Sequence, residues 1–158
     1  MRYIYIFLIL ALTGCSSFRP IYSSDEKFET FLSSIEIEEV ETIENSDLYD
    51  NISKLFGTSN DTQYILKLKL TDTVAPLLIT GQANVLKQNV TQICEYSLVD
   101  KSTGEILTKG KIRLVGSYDS SGTPYESYTH EKYTKKSITQ TASEELRMRL
   151  MLYFKGKK

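Results

Sequence analysis

The sequence predicts an α+β domain: a four-stranded, mostly antiparallel sheet with two helices packed on one face, in the order strand-helix-strand-strand-strand-helix. Three observations lead there. Long runs after residue 63 alternate apolar and polar side chains, as half-buried strands do. Two other segments repeat apolar residues every three to four positions, the period of a one-sided helix. Turn-forming clusters such as Thr58–Asp61 and Asp100–Gly104 separate them. At 158 residues, with 41% hydrophobic and 25% charged side chains, the chain suits one folded domain and not a disordered or repetitive one.

Each element has its own signal. Ile35 and Ile37 alternate with glutamates, which reads as a first strand. The acidic run around it, Glu36 to Glu44, reads as a solvated face in preference to a cation site. Asn45, Ser46 and Asp47 offer caps for a helix of about ten residues, whose Leu48, Ile52, Leu55 and Phe56 share one face. Gly57 ends it. Tyr64, Leu66, Leu68 and Leu70 form the dry side of a second strand, with Lys67 and Lys69 on the wet side. Leu86, Val90, Cys94, Tyr96 and Leu98 share one parity of a third, where Gln88 and Gln92 interrupt the apolar side. After the Asp100–Gly104 loop, Ile106, Ile112 and Leu114 continue on one face of a fourth. Lys109, Lys111 and Arg113 take its other face, and Gly110 and Gly116 mark bulges or close packing. Ile138, Ala142, Leu146, Leu150 and Tyr153 then predict a helix from about Glu126 to Phe154.

Composition narrows the function classes. Lys+Arg 19 against Asp+Glu 20 gives a net charge of −1, without the cation surplus that a nucleic-acid binder needs. One His and two Cys leave little for a metal or haem site, so neither a metal nor another cofactor is expected. No Gly-x-Ser-x-Gly elbow and no Gly-rich phosphate loop occurs, and His130 reads as an exposed helix residue. The expectation is a protein that is not an enzyme.

The amino end predicts the compartment. Met1-Arg2 precedes ten uncharged residues, Tyr3 to Leu12, a run that covers about 15 Å as a helix and is too short to span a bilayer. It fits a signal-peptide core. Leu12-Thr13-Gly14-Cys15 resembles the lipobox of bacterial lipoproteins. The resemblance implies a signal peptide at 1–14, cleavage before Cys15, and diacylglycerol on its thiol with palmitate-type chains. Residues 15–33 read as an irregular lipidated tether and 34–158 as the domain. Ser16 after the cysteine, where Asp marks inner-membrane retention in the enterobacterial pattern, implies the outer membrane, on its periplasmic side. With Cys15 acylated, Cys94 has no disulfide partner and reads as a small buried residue.

The whole chain resembles the LptE family of lipopolysaccharide-assembly lipoproteins, in its alphaproteobacterial branch. Cys15-Ser16-Ser17-Phe18-Arg19-Pro20-Ile21-Tyr22 resembles the family's Cys-Gly-Phe-Arg-Pro-Leu-Tyr start. Tyr96-Ser97-Leu98-Val99-Asp100 with Thr103-Gly104-Glu105-Ile106-Leu107 resembles its hairpin, and Leu146 to Phe154 its Arg-x-Leu-x-x-Tyr-Phe end. The resemblance implies a plug inside an LptD-like outer-membrane β-barrel that aids barrel assembly and lipopolysaccharide transport. The alternative is an auxiliary lipid-binding lipoprotein of an ABC-type lipid transporter.

Two regions are candidate contact sites. Lys67, Lys69, Lys109, Lys111 and Arg113 form a cationic strip suited to lipopolysaccharide phosphates or an acidic lumen wall, against a merely solvated sheet face. Pro76, Leu77, Leu78 and Ile79 lie in the connection Thr71–Asn84, expected as a loop because Pro76 interrupts strand pairing. Its apolar residues either meet a partner or lipid, or fold back over the core.

Overall fold

A computed structural model describes residues 26–38, 43–57, 61–79, 85–120 and 122–156. The elements are α1 (Glu26–Ser33), β1 (Ile35–Ile37), α2 (Ile43–Phe56), β2 (Tyr64–Ile79), β3 (Val85–Asp100), β4 (Ile106–Asp119) and α3 (Pro124–Gly156). The sheet order is β1-β2-β3-β4; β1 runs parallel to β2, and the other pairs are antiparallel. This is the expected α+β architecture, with a third, short helix added.

The strands alternate as read. Leu66, Cys94, Leu98 and Ile112 are buried on one face, together with Phe28, Leu32, Leu48, Ile52, Leu146 and Leu150 from the helices. All three helices therefore cover the same side of the sheet. The α1 segment, expected as the last part of an irregular tether, is a helix because Phe28, Phe31 and Leu32 stand at i, i+3, i+4 and all three are buried. Phe31 stacks on Phe154 at 4.9 Å between ring centroids, Phe28 lies 6.1 Å from the same ring, and Arg147 pairs with Glu29. The two ends of the described chain are thus packed together.

Helix boundaries follow capping chemistry. Helix α2 begins at Ile43, so Asn45, Ser46 and Asp47 are its third to fifth residues and do not precede it as caps. It stops where Gly57 takes φ +72°, a conformation that side chains with a Cβ resist. Helix α3 opens at Pro124, two residues before the expected start, on a reciprocal cap. The Thr123 N–H donates to Glu126 Oε2 at 2.7 Å, and the Glu126 N–H donates to Thr123 Oγ1 at 3.3 Å. The β3–β4 loop closes on Asp100 Oδ1, which accepts from the Ser102 and Thr103 N–H groups, and on Gly104 at φ +72°.

Pro76 does not end β2. It pairs with Gln88, and the register shifts only beyond it, between Pro76 and Leu78 and again between Leu78 and Ile79. The reason lies in the edge. The Tyr64 N–H donates to Ser34 O and the Glu38 N–H to Leu66 O, so even-numbered residues of β2 turn their backbone groups toward β1 and away from β3. Pro76 shares that parity, and its missing N–H falls on the side that β3 does not use. Residues 71–79 are therefore part of β2, correcting the first part of the loop expected over Thr71–Asn84; residues 80–84 lie outside the described residues.

Along its length the helix-facing side of the sheet changes character. Near α1 and α2 it is aliphatic; toward the far end of the hairpin it is polar. Gln92 is buried and accepts from Thr139 Oγ1 at 3.0 Å. The Tyr118 hydroxyl lies 3.0 Å from Gln88 Oε1 and 3.1 Å from Glu131 Oε2, and Lys135 Nζ lies 2.9 Å from Glu131 and 3.7 Å from Asp72. Of the two glutamines that interrupted the apolar pattern, Gln92 thus meets Thr139 of α3, and Gln88 meets Tyr118 of β4, whose hydroxyl also reaches Glu131 of α3.

This network titrates. Burial first, and the Glu131 carboxylate second, push the Tyr118 phenol from 10.0 up to about 12. The neutral phenol is the form that the fold favours, so its contribution is complete below pH 10 and lost as pH rises toward 12. Glu131 is shifted the other way, below the usual carboxylate range, chiefly by the Lys135 hydrogen bond. Its contribution is present above that range and is lost on acidification. Spectroscopic titration of phenolate should show one tyrosine ionising near 12; Tyr118→Phe should remove that step and flatten the alkaline loss of stability.

Gly116 lets α3 approach β4. A methyl group there would sit 2.5 Å from Thr134 Cγ2 and 3.0 Å from Ile138 Cγ2. Gly116→Val should therefore cost about 1–3 kcal/mol by overpacking, read as a lower denaturation midpoint.

Candidate interaction surfaces

The side of the sheet away from the helices carries the cationic strip. Odd-numbered residues of β2 and β3 point there, and register aligns them in rows: Lys67, Ser97 and Lys109; Lys69, Glu95 and Lys111; Thr71, Ile93 and Arg113. The structure brings all five predicted cations onto one surface, and all five are exposed. Lys67 pairs with Glu38 at 2.8 Å and Lys111 with Glu95 at 2.7 Å. The Glu95 carboxyl is held below its ordinary range first by the Lys111 hydrogen bond. Lys109 and Arg113 have no ion-pair partner among the described residues.

An apolar row borders the cations. Ile65 pairs with Val99, and Val99 with Ile106. Ile106 was expected on the core side with Ile112. A register shift between Leu98 and Val99 leaves Leu107 without a partner across the strands, and this bulge turns Ile106 outward, 53% exposed. A shallow groove results, lined by Lys67, Lys69, Ile106, Lys109 and Lys111. Aliphatic side chains flank positive charge there, a pairing that suits an anionic amphiphile. Glu95 and Ile106 were not legible as members. No glycine or proline marks the bulge that places Ile106, and Glu95 joins only through cross-strand register.

The second candidate lies elsewhere. Pro76 and Leu77 stand at the far end of the β2–β3 hairpin, both exposed, Leu77 by 53%. From Lys69 to Leu77 the strand runs roughly 25 Å, so the two regions are separate surfaces. The side chains of Leu78 and Ile79 lie outside the described residues, as do the signal peptide 1–14 and Cys15. Cys94 is buried, and burial pushes its thiol up to about 11, which keeps it protonated and unreactive. Among the described residues no helix is long and apolar enough to cross a membrane.

Comparison with known proteins adds the following. No family model matches the chain. Uncharacterized protein RP188 of Rickettsia prowazekii (strain Madrid E) is 29% identical over 154 residues, 98% of each chain. The fold is that of solved bacterial lipoproteins. A candidate lipoprotein from Caulobacter crescentus CB15 superposes with a TM-score of 0.69 at 19% identity, covering 84% of this chain and 98% of that one. Rare lipoprotein B from Shewanella oneidensis gives 0.57 at 12% identity, over 78% and 95% of the two chains. A minor lipoprotein from Acinetobacter baumannii gives 0.56 at 14% identity, over 73% and 88%. These similarities concern the arrangement of strands and helices.

Proposed function

We propose that the protein is an outer-membrane lipoprotein, anchored through Cys15 on the periplasmic side, that plugs an LptD-like β-barrel and aids lipopolysaccharide transport without catalysing a reaction. The observation that carries this reading is the sheet's outer face, where five cations lie in register beside an apolar row. A wide barrel has a polar lumen, and a plug needs a polar surface over a dry core. Lipopolysaccharide offers phosphates beside acyl chains, the same pairing of charge and grease that the groove presents. The likeness of the fold to rare lipoprotein B and the minor lipoprotein, and the lipobox-like Leu12–Cys15, support the anchored part of the reading.

Copurification tests it. The expected partner is a β-barrel that stays bound in detergent, and depletion of this protein is expected to leave that barrel misassembled. Recovery of an ABC-type permease in its place, with a normal barrel, would reject the plug.

A further inference from the structure

Strand β4 ends the sheet, and among the described residues no strand lies beside its outer edge. In β2 the even-numbered residues turn their backbone groups away from β3, so the odd-numbered pairs bond there. Strand β3 therefore offers its even-numbered residues to β4, in pairs such as Cys94 with Ile112. The N–H and C=O groups of odd-numbered β4 residues face outward. Helix α3 covers two of these positions: Arg149 Nη1 donates to Lys111 O at 3.0 Å, and His130 Nδ1 lies 3.2 Å from Asp119 O. Between them the backbone groups of Arg113, Val115 and Ser117 meet no hydrogen-bond partner among the described residues. Their side chains are exposed on the outer face, Val115 by 54%. Sheet edges are commonly blunted by a bulge, a proline or a covering segment. This stretch is in unbroken register with β3 and holds no proline, so donors and acceptors alternate over roughly 13 Å.

We infer that the edge of β4 at Arg113, Val115 and Ser117 receives an extended acidic segment of the barrel partner, which adds to the sheet as a further strand. The partner's identity rests on the plug reading. A closed barrel has already paired its own strand edges, so the added segment belongs to a part of the partner outside its ring of strands. Backbone pairing supplies the affinity, and the side chains beside it supply the choice. Arg113 decides the charge. It belongs to the cationic rows, lies outside the groove that Lys109 and Lys111 line, and has no ion-pair partner among the described residues. An added strand sets one of its own outward side chains about 5 Å from Arg113, where a carboxylate gains and a cation is repelled. Two residues on it meets Val115, where a β-branched or other apolar side chain fits. A second copy of this chain suits the edge less well, because pairing two β4 strands brings both sets of Lys109, Lys111 and Arg113 onto one face. Arg149 closes the edge at Lys111, so the added strand stops short of the groove and leaves it open.

The test compares amide hydrogen exchange in the full lipidated chain alone and in its detergent-stable complex with the copurified barrel. The Arg113, Val115 and Ser117 amides should exchange rapidly in the free chain and about tenfold or more slowly in the complex. The Ile112 and Leu114 amides, which face other neighbours, should not change alike: Ile112 and Leu114 are bonded to β3 and stay protected in both. Val115→Pro removes one outward donor and keeps the pairing with β3, as Pro76 does on β2. It should lower recovery of the barrel about tenfold, as should Arg113→Glu, whereas Arg113→Lys should retain it. If Val115→Pro misfolds, seen as lost protection at Ile112 and Leu114, exchange in the parent chain decides alone. An intact barrel complex in which the three amides stay fast overturns the inference and leaves the plug standing. Protection that appears in the chain alone and grows with its concentration gives the edge to a second copy and also overturns it. Recovery of no barrel rejects the plug reading, and the added strand falls with it.

Discussion

Leu146→Ala should lower stability by about 2–5 kcal/mol, among the larger losses expected from truncating one side chain of the core. Leu146 is fully buried on α3 within the cluster that joins all three helices to the sheet. Truncation there removes transfer energy and leaves a cavity among side chains from α1, α2 and the strands, which cannot all close onto it. Met148, two residues along the same helix, is 40% exposed. Its alanine variant should stay within about 0.5 kcal/mol of the parent. Urea titration of the two variants side by side checks the contrast; equal losses would mean that α3 does not carry the core.

Replacing Lys109, Lys111 and Arg113 together by glutamate should remove the proposed activity while sparing the fold. The three side chains are exposed, and none is packed in the core. Each cation at an anionic surface is worth about 1 kcal/mol, so reversal of three costs at least about 3 kcal/mol, or roughly a hundredfold in affinity for an anionic amphiphile such as lipopolysaccharide. Lys111→Glu also places a like charge opposite Glu95, a modest and local penalty. Circular dichroism should be unchanged. Lys54→Glu, on the helix side of the molecule, should leave binding intact. Unaltered lipopolysaccharide binding by the triple variant removes the sheet face from the proposal.

Alternation made most of the sheet legible. Leu66, Leu98 and Ile112 face inward where their parity put them, and the five cations face outward for the same reason. What parity cannot carry is register. The rows that set Lys69 beside Glu95 and Lys111 depend on which residues pair across strands, and the bulge at Leu107 reversed the expectation for Ile106. Pro76 misled because a proline's cost depends on where its missing donor points, a property of the neighbouring strand. Helix α1 carried its signal in Phe28, Phe31 and Leu32, but eight residues are too few to establish a period beside a tether. Gln88 and Gln92 announced a polar stretch without saying that Tyr118 of β4 and Thr139 of α3 would meet it.

The clasp between Phe28, Phe31 and Phe154 has a kinetic consequence. A ribosome emits α1 more than a hundred residues before Phe154, so Phe28 and Phe31 stay without that partner over the whole interval. Contacts of such sequence separation slow folding, because a loop of more than a hundred residues must close before they form. A nascent chain of this protein therefore carries α1 without its Phe154 contact until α3 has been made, and closure of this part of the core waits on α3.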